Sequence, residues 1–360
     1  LLMDPPIIRA VIDYCSTGPR SVYSLASEGQ PHLCSLDSHV IELSRSSIEQ
    51  YQAHGLGAPF PEDAAWVSLG DRSWALGHLA AQTFGAPLRL EPLKVEHAIY
   101  QTLAIVGAIA QRQNLPSRLV LKLGALLPFG EYQGREVLRG QLATALADFS
   151  FRGRNYTCTL EDFEALPEGA GILYGTAQEN ISASVTGSVG ILCLGFRNDS
   201  QLVVERGKMR GRTGDFGFSF VTKRVQAQTS GQYFDNPQLI AAASKSTPVK
   251  RKQALSRLAR STEAQFRQPE IAQLVEAVEA ARQDYLQLVA QRCHDFFTAN
   301  PSCILLGGGT AWHCRSDLRT VLHQFFPRGR TRLDVGKELL TRCDSVLGPQ
   351  LKRRGLAPYR

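Results

Sequence analysis

GSVGILCLGFRNDSQLVVERGKM, residues 187–209, reads as a buried apolar strand, a turn carrying Gly195 and Asn198, and a returning strand. The chain opens with the same pattern. RAVIDY (9–14) and SVYSLA (21–26) are short apolar runs on either side of a Gly-Pro turn, which predicts a β-hairpin. Between the two strand-turn-strand units, VEHAIYQTLAIVGAIAQRQ (95–113) has apolar residues at helical spacing and stops before Pro116. RLVLKLGALLP (118–128) is an apolar strand ended by its proline, REVLRGQLATALADF (135–149) is helical again, and YTCTL (156–160) is extended. Beyond the second unit, residues 271–297 place apolar side chains on one face of a long helix. SCILLGGGTAWHCRSDLRTVL (302–322) then gives a strand, a triple glycine and another amphipathic helix. Strands alternate with helices throughout, so the class is α/β.

With 360 residues, 43% hydrophobic and 20% charged, the chain has apolar material for two cores. Its longest uncharged apolar stretch, TLAIVGAIA (102–110), is about half of the ~20 residues that a bilayer crossing needs. No basic segment followed by an apolar run and a small-residue cleavage site opens the sequence, so a cytoplasmic location is expected. The eight cysteines are scattered and never form C-x-x-C, which predicts reduced thiols. His313 beside Cys314 is too isolated for a tetrahedral site, which argues against a zinc enzyme. The net charge of +7 is clustered. Six basic residues and no acidic one lie in 245–260, a second group is Arg206, Lys208, Arg210 and Arg212, and a third is Lys352, Arg353 and Arg354. Such clusters are solvated faces or contacts with an anionic polymer, a membrane surface or another subunit.

Turns rich in Gly, Ser, Thr and Asn expose backbone N–H groups that can cradle phosphate oxygens. Taken singly, each strand-turn-strand unit is equally an ordinary tight turn. Gly307, Gly308 and Gly309 say more, because consecutive glycines between a strand and a helix cost conformational entropy, and a ligand approaching the backbone and the helix N-terminus would justify them.

Six blocks in order carry a family resemblance. IDYCSTGPRSVY (12–23) resembles the first phosphate loop of the ParM-like bacterial actins, LGFRNDS (194–200) the second, and ILLGGGTAWHCRSDLRTVL (304–322) the adenosine motif. LPSRLVLKLGALLPFGEY (115–132) is similar to the segment ending in a Glu-Tyr pair, LPEGAG (166–171) to the Pro-Glu connection between lobes, and TGDFGFSFVTKRV (213–225) to the segment entering the second lobe. The resemblance implies an actin-like ATPase fold of two RNase H-like lobes, with ATP or ADP and Mg2+ in the cleft between them. Lobe I would span 1–170, lobe II 171–325, and 326–360 would return toward lobe I, in relatives that usually continue further.

Residue by residue, the resemblance assigns Asp13 to the metal's water shell. It assigns Ser16, Thr17, Gly18 and Arg20 to the β- and γ-phosphates, Arg20 standing where the family usually has lysine. Gly195, Arg197 and Asn198 would hold the second loop, Gly214 and Asp215 would lie near the sugar, and Gly307, Gly308, Gly309 and Thr310 would face the adenine and α-phosphate. Glu168 matches the catalytic glutamate that orients the attacking water. Two positions depart from the pattern. Cys193 replaces the aspartate that opens the second loop, and a neutral thiol is a poor ligand for a hard cation; Cys15 replaces a glycine of the first.

The implied function is a head-to-tail homopolymer whose slow ATP hydrolysis controls polymerisation, acting in plasmid segregation or cell organisation. Its partners would be itself and a DNA-bound adaptor or anionic surface. Cys193 favours the alternative, a hydrolysis-deficient actin-fold scaffold that binds nucleotide and recruits proteins. A sugar or acetate kinase would need a catalytic base that the sequence does not offer, and an Hsp70-like chaperone would need a separate substrate domain.

Overall fold

The computed structural model describes residues 4–26, 30–54, 57–88, 90, 93–172, 188–206, 208–297, 301–327 and 330–333. They fall into two compact units, one ending at Gly171 and the other beginning at Ile172.

In the first unit β1 (Ile7–Asp13), β2 (Arg20–Leu25) and β3 (His32–Ser35) form an antiparallel meander. β7 (Arg118–Leu127) then lies parallel to β1, and β9 (Arg154–Pro167) parallel to β7. The insertion after β3 adds β4 (Val40–Leu43), α1 (Arg45–His54), β5 (Trp66–Leu69) and β6 (Arg72–Leu76). These strands join through β8 (Phe149–Phe151) to give a nine-stranded order β3-β2-β1-β7-β9-β8-β5-β6-β4. α2 (Lys94–Arg112) and α3 (Arg135–Ala147) are the crossovers between the parallel strands, as parallel pairing requires. α2 is buried without interruption from Gln101 to Ala110, and β7 from Leu123 to Leu127, which explains why both read as nearly continuous apolar runs.

The second unit repeats this plan. β10 (Val189–Leu194), β11 (Asp199–Glu205) and β12 (Lys208–Gly214) form the meander, with β13 (Cys303–Gly307) parallel to β10 and β14 (Arg330–Leu333) parallel to β13. Its order, β12-β11-β10-β13-β14, matches β3-β2-β1-β7-β9 strand for strand. Between β12 and β13 run α4 (Ser219–Gln228), α5 (Pro237–Ala243), α6 (Pro248–Leu255) and α7 (Ala264–Phe296). α8 (Gly309–His313) and α9 (Arg315–Phe325) follow β13. α7 buries Leu274, Val278, Tyr285 and Val289, and it begins seven residues before the expected 271 because its first turns are polar and largely exposed.

Segment 326–360 is expected to return toward the first lobe, and only its beginning is described. Residues 330–333 hydrogen-bond to β13 and extend the second sheet; residues 334–360, with Cys343 and the cluster Lys352, Arg353 and Arg354, lie outside the described residues. Among the described residues no helix is long and apolar enough to cross a membrane.

Candidate functional site

Ligands of open α/β sheets gather at the carboxyl ends of parallel strands. In the first unit the register aligns Asp13 with Leu126 and Leu127 with Pro167, so β1, β7 and β9 finish together. Asp13 ends β1, and Glu168 follows directly after β9, its N–H donating to Leu127 O at 2.7 Å. The turn after Asp13 closes on itself, with Gly18 N–H donating to Cys15 O at 2.9 Å and Cys15 Sγ lying 3.2 Å from Thr17 Oγ1. Gly18 has φ +130°, and a Cβ there would strike the Leu36 carbonyl oxygen, so only glycine passes. Ser16 is partly buried, while Thr17 and Arg20 are exposed at the rim, Arg20 opening β2 opposite Asp13.

The sequence reading missed one residue here. Lys94, the first residue of α2, is buried, and its Nζ donates to Glu168 Oε1 in an ion pair sealed on both sides. Glu131, from the Glu-Tyr pair of block 115–132, fixes this helix end by accepting from Val95 N–H at 3.0 Å. Glu96 accepts from Leu93 N–H at 3.2 Å. Burial together with the nearby Glu168 pushes the Asp13 carboxyl up to about 6, with Lys94 and Arg20 offsetting part of the effect. Burial opposes the Lys94 charge, but Glu168, Asp13 and Cys15 outweigh it and hold the ammonium firmly protonated. Two carboxylates and one ammonium thus share the carboxyl end of the first sheet. A solitary lysine opening a helix carries no motif, so only the fold could reveal it.

In the second unit the three remaining blocks converge. Gly195 N–H donates to Asn198 O at 2.9 Å, Phe218 N–H to Gly195 O at 3.1 Å, and Thr310 Oγ1 to the same Gly195 carbonyl at 2.9 Å. Gly217 N–H donates to Arg197 O at 2.9 Å, and Arg197 Nε stands 3.5 Å from Asp215 Oδ1. Gly214 ends β12 beside Asp199, and Cys193 pairs with Ser200 on one side and Gly307 on the other. The three glycines have different reasons. A Cβ on Gly307 would meet the Ile172 side chain, Gly308 sits at φ +85° against the Leu194 carbonyl, and Gly309 is exposed with open space in front of it. Packing therefore accounts for the glycine at two of the positions, while at Gly309 an added Cβ would meet open space. Asp199, also missed by the sequence reading, is buried beside Arg292 (3.4 Å) and Gln201 (2.8 Å). Burial raises its carboxyl above the usual range, partly countered by Arg292.

The expected magnesium ion fits this donor set poorly. A hard dication wants ionised oxygens, yet in the first unit Glu168 is committed to Lys94, and in the second unit the corresponding loop position carries the Cys193 thiol. Among the described residues no group of three or more His, Cys, Asp or Glu could hold a metal ion. Turns with a cradle-forming glycine fit a polyphosphate better than they fit the metal.

Two sheets of order 3-2-1-4-5, each with a hairpin loop at the carboxyl end of its first strand, define the actin-like fold of the ParM type. Among solved structures the chain is similar to a 15-stranded ParM filament from Clostridium botulinum. The TM-score is 0.64 at 11% identity, covering 96% of this chain and 99% of that one. It is similar as well to ParM of Bacillus thuringiensis with ATP (TM-score 0.57, 11% identity, 96% and 99% covered) and to apo psk41 ParM (TM-score 0.57, 11% identity, 96% and 98% covered). No family model and no curated protein matches the chain.

Proposed function

We propose that this protein is a nucleotide-binding, filament-forming actin-like protein. The observation that carries the reading is the repeated topology, which sets a hairpin turn at the end of β1 and again at the end of β10. The likeness to a ParM filament and to ParM with ATP over almost the whole chain supports it. Asp13, Ser16, Thr17, Gly18 and Arg20 would meet the β- and γ-phosphates. Gly195, Arg197 and Asn198 would form the second loop, with Gly214, Asp215, Gly309 and Thr310 toward the nucleoside. ATP or ADP is the cofactor of this reading, a second copy of the chain the first partner, and the cytoplasm the place of action. A role in segregating DNA through an adaptor rests on the likeness alone.

Hydrolysis is the weak part of the site. Glu168 would orient the attacking water, but its Oε1 is occupied by Lys94, and Cys193 stands where an acid would assist. Those two observations favour the second reading, a filament or scaffold protein in which nucleotide is bound and turned over poorly. Sedimentation and electron microscopy with ATP, ADP and no nucleotide test the proposal: ATP-dependent pelleting with little phosphate release is expected, and the Cys193→Asp variant should release more. Failure to pellet under any nucleotide removes the filament reading.

A further inference from the structure

Lys94 has the burial and the neighbours of a structural cation. Its side chain is 7% exposed and that of Glu168 10%, and Asp13 ends β1 at the same sheet end where Glu168 follows β9. A buried carboxylate, Glu168, beside the half-buried Asp13 at one sheet end needs a compensating cation to be tolerated. A divalent ion is one solution. This chain supplies another, an ammonium on the first turn of α2, anchored from behind by the bonds of Glu131 and Glu96 to the backbone of the same turn. A dication entering here would face that ammonium at short range and would have to break its pair with Glu168. An ammonium has three donors and only one is drawn by Glu168 Oε1. The others suit a phosphate oxygen as a point charge would.

We propose that Lys94 is a built-in cation that takes the place of magnesium at the first phosphate loop, so that this protein takes up nucleotide without a divalent metal. The proposal rests on the nucleotide-binding reading above. It accounts for a departure that otherwise stands alone, the commitment of Glu168 to a buried ammonium at the end of the first sheet. It also makes Lys94, from the first turn of α2, a binding residue beside the loop where the expected lysine is the exposed Arg20.

Calorimetric titration with ATP, in EDTA and in excess magnesium, tests it. Wild-type protein is expected to bind ATP with affinities that agree within about threefold in the two buffers, since the charge a metal would add is already present. Replacing Lys94 alone strands a buried carboxylate, so the main variant is Lys94→Met with Glu168→Gln, which removes both charges at similar volume. In EDTA this variant should lose about tenfold or more in affinity, the scale of one charge-assisted hydrogen bond, and magnesium should restore part of it. Lys94→Arg keeps the charge and should stay metal-independent. Wild-type protein that binds ATP only with magnesium overturns the proposal and leaves nucleotide binding standing, whereas no binding in either buffer overturns both. A double variant with unchanged affinity in EDTA removes Lys94 from the role. Should that variant fail to fold, the wild-type comparison still decides.

Discussion

At the scale of single residues, charge decides what the first loop can do, and Asp13 gives a pH dependence with a definite sign. Its carboxyl, ordinarily near 3.8, is raised to about 6 in the folded chain. Between those values the folded state holds a proton that the unfolded state releases, so this group makes stability fall as pH rises from about 4 through about 6, after which the loss is complete. A shift of that size corresponds to at most about 3 kcal/mol. Asp13→Asn cannot ionise and should therefore be more stable than the parent at pH 7.5, with an advantage that shrinks to nothing near pH 4. Urea unfolding of both proteins across that range measures the difference directly, and an advantage that grows toward acid would contradict the assigned cause.

At the scale of elements, the strand-to-helix junction at Gly307–Gly309 separates two glycines that packing requires from one that it does not. Gly308→Ala forces a side chain into φ +85° and against the Leu194 carbonyl, and should cost about 3 kcal/mol of stability. Gly309→Ala meets no atom and adds a better helix former at the start of α8, so stability should hold or rise by about 0.5 kcal/mol. If nucleotide approaches this backbone, the same substitution weakens ATP binding. Thermal unfolding beside an ATP titration on the two variants tells the two roles apart. The junction also shows what sequence reading reaches. The triple glycine, the hairpins and the helix at 95–113 announced themselves by turn chemistry and apolar spacing. β12 did not, because KMRGRTG is polar on both faces and earns its place by pairing with β11 alone. Nor did β4, β5, β6 and β8, strands of three to five residues, of which β4 and β5 also pair with strands distant in the chain, β6 and β8.

At the scale of the whole molecule, the same five-strand order arises twice from sequences without a visible repeat period, and matches solved folds at 11% identity. Pattern suffices for topology, since many residue choices satisfy one alternation of strand and helix. Site chemistry has no such redundancy: Lys94 and Asp199 are single residues whose meaning depends on neighbours 74 and 93 positions away. The charge excess shows the same limit. Of the six basic residues in 245–260, Arg251 is turned inward onto Glu279 at 2.6 and 2.8 Å, leaving Lys245, Lys250, Lys252, Arg257 and Arg260 exposed. Arg212 of the second cluster likewise points in, to Gln201 at 3.0 and 3.1 Å. A run that looks uniform in sequence is thus a mixture of a structural ion pair and an outward basic face. That face should hold a polyanion through counterion release, so binding to duplex DNA as a probe should fall steeply with salt. Lys250→Gln, Lys252→Gln and Arg257→Gln together should flatten the slope of log affinity against log salt by about two to three, about 0.9 per lost phosphate contact. Arg251→Gln should instead lower thermal stability, because it leaves Glu279 unpaired, and should leave the salt slope alone. Fluorescence anisotropy over a salt series distinguishes them, and a flat wild-type response would mean that these cations are solvated and serve no anionic partner.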